Sequence, residues 1–264
     1  MTAPQVVATD LDGTLLRSDG SLSDRTRSVL AGLDDRGIHV VFVTARPPRW
    51  LAAVAGAVGG HGLAICLNGS CVVEVATGTV SQVHGFDAPA LAEVVADLRA
   101  ALPGVELGLE RPSGAVFDPH YTHDHHAPAD AHRSTVEDHL DEPVGKLLAR
   151  LTSMPDDAFF ARVESVIGAR AQLAYSGATG LAEMTAPGVS KAAALARWCT
   201  GHEVDARDVW AFGDMPNDLP MLTWAGTSFA VANAHDAVLA AATHITASND
   251  DDGVAQALEG LLVP

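Results

Sequence analysis

Short apolar runs and amphipathic stretches take turns along the first seventy residues. Gln5-Val-Val-Ala-Thr is a compact run with β propensity that stops abruptly at Asp10-Leu-Asp-Gly-Thr, and its length suits a strand buried on both faces. From Ser23 to Arg36, Val29, Leu30 and Leu33 recur at helical spacing, with Ser23 placed as an N-cap and Gly37 as a stop. Ile38-His-Val-Val-Phe-Val predicts a second strand ending at Thr44. Arg49 to Val58 predicts a further helix, and Leu63-Ala-Ile-Cys-Leu a third strand ending at Asn68-Gly69. Strand, helix, strand, helix, strand is the order of a parallel sheet with helices on its faces.

Near Val72 the rhythm changes. Val72-Val-Glu-Val and Thr77-Gly-Thr-Val-Ser-Gln-Val predict a hairpin about a glycine turn. Helices follow over Asp87–Leu102 and Asp156–Ile167, separated by short strands and by a segment from Asp118 to Arg133 that is rich in His, Asp and Pro and has no period. The α/β order resumes with a helix from Ser190 to Cys199, a strand Val209-Trp-Ala-Phe and a short helix from Asp218 to Trp224. Further strands are expected at Ser228-Phe-Ala-Val and about Ile245. No internal repeat or low-complexity tract interrupts this order. The expectation is an α/β protein with a Rossmann-like parallel-sheet core built discontinuously from residues 1–82 and 184–264, and an inserted α+β domain over residues 83–183.

Composition narrows the class. The 264 residues are 48% hydrophobic and 19% charged, which is the balance of a globular chain. A net charge of -17 repels a nucleic-acid backbone, so no nucleic-acid partner is expected, while a local cation can still hold a small anion. Cys66, Cys71 and Cys199 have neither metal-finger spacing nor an even count, and read as small core residues in a reducing compartment. There is no basic stretch leading into an apolar one at the N-terminus and no apolar run near the roughly 18 residues of a membrane span. A cytoplasmic protein without a membrane partner is expected, and oligomeric state is not legible.

The chemistry gathers at strand ends. Asp10 and Asp12, two apart after the first strand, lean to one side of an extended chain, beyond a strand's carboxyl end where open parallel sheets bind ligands. Two adjacent carboxylates repel unless a cation or a shared proton relieves them, and an oxygen-rich site near phosphate points to Mg²⁺. Gly13 permits a sharp exit and Thr14 adds a hydroxyl. Thr44 ends the second strand in Val43-Thr44-Ala45-Arg46, where a hydroxyl serves either a phosphate oxygen or a local turn. Lys191 opens a helix, an end where the dipole disfavours a cation unless an anion lies close. Gly213-Asp214-Met-Pro-Asn217-Asp218 follows the strand that ends at Phe212.

Val6-Val-Ala-Thr-Asp10-Leu-Asp12-Gly13-Thr14-Leu15 resembles the first motif of the haloacid-dehalogenase-like hydrolases, and the other three motifs of that superfamily have counterparts here in the expected order. Thr44 resembles the second, with Ala45 where the subgroup usually has Gly. Lys191 resembles the third, and Gly213–Asp218 matches the fourth, Gly-Asp-x-x-Asn-Asp. Leu67-Asn68-Gly69, Ser190-Lys191 and Ser248-Asn-Asp-Asp-Asp-Gly-Val254 are similar to the Cof-type subgroup, whose α/β cap lies between the second and third motifs, where residues 83–183 fall. The resemblance implies a phosphatase with Asp10 as nucleophile and Asp12 as general acid/base. It implies Mg²⁺ held by Asp10, Asp214 and the carbonyl of Asp12, with Asp218 in support. Thr44, Lys191, Asn217 and the backbone about Leu11, Gly13, Ala45 and Arg46 would hold the phosphate of a small-molecule ester.

Substrate selection is expected in the insert, where Glu110, Arg111 and the histidines from His120 to His126 are candidates. His123, His125 and His126 suit a solvated loop as well as a second metal site. Two other readings share the core residues: a sugar phosphomutase, and a sensor that binds a phosphometabolite without turnover. The latter has no use for an acid/base at Asp12.

Overall fold

The computed structural model describes residues 2–57, 62–123, 131–175 and 178–262. In chain order its strands are β1 (Val6–Thr9), β2 (His39–Val43), β3 (Gly62–Cys66), β4 (Cys71–Glu74) and β5 (Val80–Val83). Then come β6 (Glu106–Arg111), β7 (Gly114–Phe117), β8 (His132–Arg133), β9 (Lys146–Arg150), β10 (Gln172–Ala174) and β11 (Leu181–Thr185). The last three are β12 (Val209–Gly213), β13 (Thr227–Val231) and β14 (His244–Thr246). The helices are α1 (Asp24–Asp34), α2 (Ala88–Ala101), α3 (Asp156–Ile167), α4 (Lys191–Gly201), α5 (Leu219–Trp224), α6 (Asp236–Ala241) and α7 (Gly253–Leu258).

An eight-stranded sheet runs in the order β14-β13-β12-β1-β2-β3-β4-β5. Its first six strands are parallel and β4 returns antiparallel to β3. The chain moves outward from β1 to β2 and β3 on one side, and from β12 to β13 and β14 on the other. The switch between these directions lies between β1 and β12, where an open sheet of this kind leaves a crevice. Every residue of β1, β3 and β12 is buried, which is why these strands read as unbroken apolar runs and not as alternation. In α1, the Ser23 hydroxyl accepts from the Thr26 N–H, and Val29, Leu30 and Leu33 face the core.

The second sheet has the order β10-β11-β9-β6-β7-β8 and is antiparallel except between β7 and β8. Alternate residues point to opposite faces. Leu107, Leu109, Leu147, Ala149 and Met184 join the core built with α2 and α3, while Ala115, Phe117 and Leu148 form a smaller cluster with Tyr121.

The chain divides into two compact units, Met1–Gln82 with Lys191–Pro264, and Val83–Ser190. The second boundary falls later than residue 183, because β11 continues to Thr185 between β9 and β10. Beyond it the Thr185 hydroxyl donates to the Val189 carbonyl, 2.7 Å away.

Local departures have local causes. The helix expected over Arg49–Val58 is a 3₁₀ turn, Pro48–Ala53, with Trp50 at non-helical angles; Pro47-Pro48 fixes its entry and Gly56, at φ +73°, turns the chain soon after. Val58 lies outside the described residues. Helices α6 and α7 span six residues each, too few to show a period in the sequence.

Candidate active site

Register brings the motif residues to one edge of the sheet. Thr9 is level with Phe42 of β2 and Phe212 of β12, so Asp10 and Thr44 each follow a strand end at the same level, and Asp214 comes just beyond Gly213. Asp10 therefore sits at the switch point between β1 and β12, with its N–H bonded to the Phe212 carbonyl at 3.1 Å. Gly213 is required because a Cβ there would lie 2.6 Å from that of Asp218.

Asp10, Asp214 and Asp218 are buried and offer carboxylate oxygens that lie within 4.8 Å of one another. Lys191 enters this group from the first residue of α4. Its Nζ donates to Asp10 Oδ1 at 2.5 Å and to Asp218 Oδ1 at 2.7 Å, which supplies the anionic neighbours its position at a helix N-terminus calls for. Burial alone would lower the Lys191 pKa, but Asp10 and Asp218 outweigh it and hold the ammonium protonated. Burial raises the Asp10 pKa well above the ordinary carboxylate value; Lys191 opposes this while Asp218 and Asp214 add to it. The Asp214 carboxyl is pushed up to about 6, by burial first and then by Asp218.

Three buried carboxylates against one ammonium leave an excess of negative charge, and the donors are all oxygen. That set fits a small, hard divalent cation. The three are not equivalent. Asp218 is already engaged at both oxygens, Oδ1 by Lys191 and Oδ2 by the N–H groups of Asp214 and Met215 at 3.1 Å each, so it positions its neighbours. Asp214 Oδ1 accepts from the Thr14 hydroxyl at 2.7 Å. A Cβ on Gly13 would lie 2.4 Å from Asp214 Oδ2, so this glycine makes room for that oxygen.

Asp12, whose backbone carbonyl is the expected metal contact, contributes no side-chain oxygen to the triad. Its carboxylate is 60% exposed and is held bidentately by one edge of the Arg46 guanidinium, Nε to Oδ2 at 2.7 Å and Nη2 to Oδ1 at 2.5 Å. Arg46 was expected to offer backbone to phosphate. Its N–H donates to the Thr44 hydroxyl oxygen at 3.0 Å, and its guanidinium also reaches the Trp50 carbonyl at 3.0 Å. The sequence held no periodic or motif signal for this Asp12–Arg46 pair; only the matched strand ends bring the two residues together. Leu11 is wholly buried, and its carbonyl accepts from Leu15 and Leu16 in the turn after Asp10. Asn217 Nδ2 donates to Asn68 Oδ1 at 3.4 Å. Asn68 sits in a short turn, Leu67–Gly69, with Leu67 and Asn68 at positive φ, and that turn bonds back to the carbonyls of Thr44 and Arg46.

Residues that sequence reasoning left without a role brace the loop after Asp10. Asn233 Nδ2 donates to the Gly13 carbonyl at 2.7 Å, and Asn249 Nδ2 to the Leu16 carbonyl at 2.9 Å. Asp250 accepts from the Ser18 N–H and hydroxyl, and Asp252 pairs with Arg17 at 2.9 Å. The Ser248–Val254 string is thus a brace, and Gly253 belongs to it because a Cβ there would meet the Ala247 carbonyl oxygen at 1.9 Å.

In the other unit, Glu110 and Arg111 are buried in β6; Arg111 bonds the His139 carbonyl and Glu142 Oε2, the latter at 3.1 Å. The His123 ring packs edge-on against Phe117 at 4.5 Å between centroids, and His120 is exposed. His125 and His126 lie outside the described residues. Among the described residues, the one acidic, His or Cys group of metal-binding proximity is the triad. No helix among them is long and apolar enough to cross a membrane.

An α/β sheet with an acidic triad and a lysine at its switch point defines a class of phosphoryl-handling hydrolase. A sequence model of haloacid dehalogenase-like hydrolases matches residues 7–258, and the chain belongs to that family, among its Cof-type phosphatases. It is 27% identical over 269 residues to the 5-amino-6-(5-phospho-D-ribitylamino)uracil phosphatase YitU of Bacillus subtilis, covering 98% of this chain and 97% of that protein. It is 30% identical over 256 residues to the HMP-PP phosphatase of Shigella flexneri, covering 91% and 89%. Its fold is similar to that of SMU.1108c from Streptococcus mutans, with a TM-score of 0.84 at 22% identity over 98% of this chain and 99% of the other.

Proposed function

We propose that this phosphatase is Mg²⁺-dependent and hydrolyses a small phosphate monoester, a sugar phosphate or a phosphorylated cofactor or nucleotide, through an aspartyl phosphate on Asp10. The observation that carries the proposal is the buried Asp10 carboxylate, with one oxygen on Lys191 and Asp214 beside it at the end of β1. The names of YitU and the HMP-PP phosphatase support a phosphorylated small molecule as substrate.

The Asp10 oxygen not paired with Lys191 attacks phosphorus, giving an acyl phosphate and a departing alkoxide. Lys191 orients Asp10 and balances charge on the transferring group. Thr44 and Asn217 supply polar contacts at the phosphate end. Asp12, exposed beside this end of the sheet, protonates the leaving oxygen and then takes a proton from the water that cleaves the acyl phosphate. Asp10 and Asp214 would hold Mg²⁺, with Asp218 fixing Asp214 and Lys191 around it. When bound, the ion offsets negative charge on phosphate and nucleophile. Residues 83–190 would select the alcohol portion of the ester.

Phosphate release from a panel of sugar phosphates, nucleotides, phosphorylated cofactors and an aryl phosphate tests this, with Mg²⁺ or with chelator. Release that needs Mg²⁺ and is lost in Asp10→Asn is the expected result. Near-wild-type turnover by Asp10→Asn would exclude the scheme, and no release from any ester would favour the mutase or sensor readings.

A further inference from the structure

Trp50 is among the few large apolar side chains that the described residues leave exposed, at 42% of its surface. An isolated exposed tryptophan needs no explanation, but this one is placed by the site. Its backbone carbonyl accepts from Arg46 Nη1, and the same guanidinium holds the Asp12 carboxylate through Nε and Nη2. The Trp50 main chain is therefore one guanidinium away from Asp12, the residue proposed to protonate the leaving oxygen. Beside it, the Arg49 guanidinium carbon lies 5.4 Å from the indole centroid. The Pro47-Pro48 entry and the non-helical angles of Trp50 set this short 3₁₀ turn at the rim of the sheet's carboxyl edge. A partly exposed indole with one guanidinium against its ring suits a planar heteroaromatic ring, which stacks on the indole while its polar edge meets that cation. A sugar meets an indole only through its C–H face and has no π system to stack on it.

We propose that Trp50 is a specificity-determining residue of this phosphatase, a stacking surface that favours phosphate esters whose leaving group carries a planar heteroaromatic ring. The proposal rests on the reading of Asp12 as the group at the leaving oxygen. It concerns which ester is preferred, so it is tested apart from the identity of the nucleophile.

The test is competition against hydrolysis of p-nitrophenyl phosphate by the full chain with Mg²⁺. Inhibition constants are measured for pyridoxine 5′-phosphate and for glucose 6-phosphate in the wild type, Trp50→Ala and Trp50→Phe. In the wild type the heteroaromatic ester binds more tightly. Trp50→Ala reduces that preference about three- to tenfold, the range expected for loss of one stacking contact, and Trp50→Phe restores most of it. A preference unchanged by Trp50→Ala, or two constants that rise together, overturns the proposal. So does a wild type that favours glucose 6-phosphate. Failure of the Asp10 scheme shows separately, as turnover of p-nitrophenyl phosphate by Asp10→Asn.

Discussion

Lys191 meets two carboxylates at once, and a third lies close by, so its removal leaves several buried negative charges with no protein cation among them. Breaking a buried pair from one side costs about 3–5 kcal/mol. Lys191→Met is therefore expected to lower metal-free stability at neutral pH by about 3 kcal/mol in urea unfolding, besides abolishing turnover; a loss below about 1 kcal/mol would show that Lys191 does not neutralise the triad. Asp214 makes a second prediction. Its carboxyl titrates near 6 in the fold against an ordinary 3.8, so the folded state binds this proton more tightly than the unfolded chain. The associated stabilisation is full below about pH 4 and is lost as pH rises through about 6. A cation at the triad relieves the penalty where Asp214 is ionised. Mg²⁺ should accordingly raise Tm more at pH 8 than at pH 5, and an equal shift at both would place the ion elsewhere.

At the scale of elements, the site depends on where strands stop and on what holds the loops beyond them. Most of this was legible: β1, β2, β3 and β12 are buried on both faces and write themselves as apolar runs, and a polar motif residue ends or follows each. The Asp12–Arg46 pair and the Asn233 and Asn249 braces were not legible as contacts, since they join residues 34, 220 and 233 positions apart. Periodicity reports an element's own face and not its neighbours. The loop after β1 gives the prediction at this scale. Gly13 is at φ +77° with Asp214 Oδ2 2.4 Å from where a Cβ would be, so Gly13→Ala forces strain and displaces an oxygen of the proposed Mg²⁺ site at once. Activity at limiting Mg²⁺ should fall at least tenfold, with part recovered at high Mg²⁺; unchanged Mg²⁺ dependence would contradict this account of the glycine.

For the whole molecule, a chain that interrupts one sheet to build another separates two tasks. The acid triad, Lys191 and the Asp12–Arg46 pair all belong to the unit made from both ends of the chain. Residues 83–190 hold none of them, yet bury Glu110 and Arg111 in a sheet of their own. The division expected from the sequence rested on the return of the α/β rhythm near residue 190. The later boundary was not legible, because Glu183 lies inside β11 and reads as a break two residues before the strand ends at Thr185. The central claim, a covalent phosphoryl-enzyme on Asp10, is tested most directly by acid-quenching the Asp12→Asn variant during reaction with an aryl phosphate and mapping the modified peptide by mass spectrometry. With a leaving group that needs no proton, the first step proceeds while the second lacks its base, so phosphate should accumulate on the peptide containing Asp10. Steady turnover with no phosphorylated peptide, or phosphate on any other residue, would contradict it.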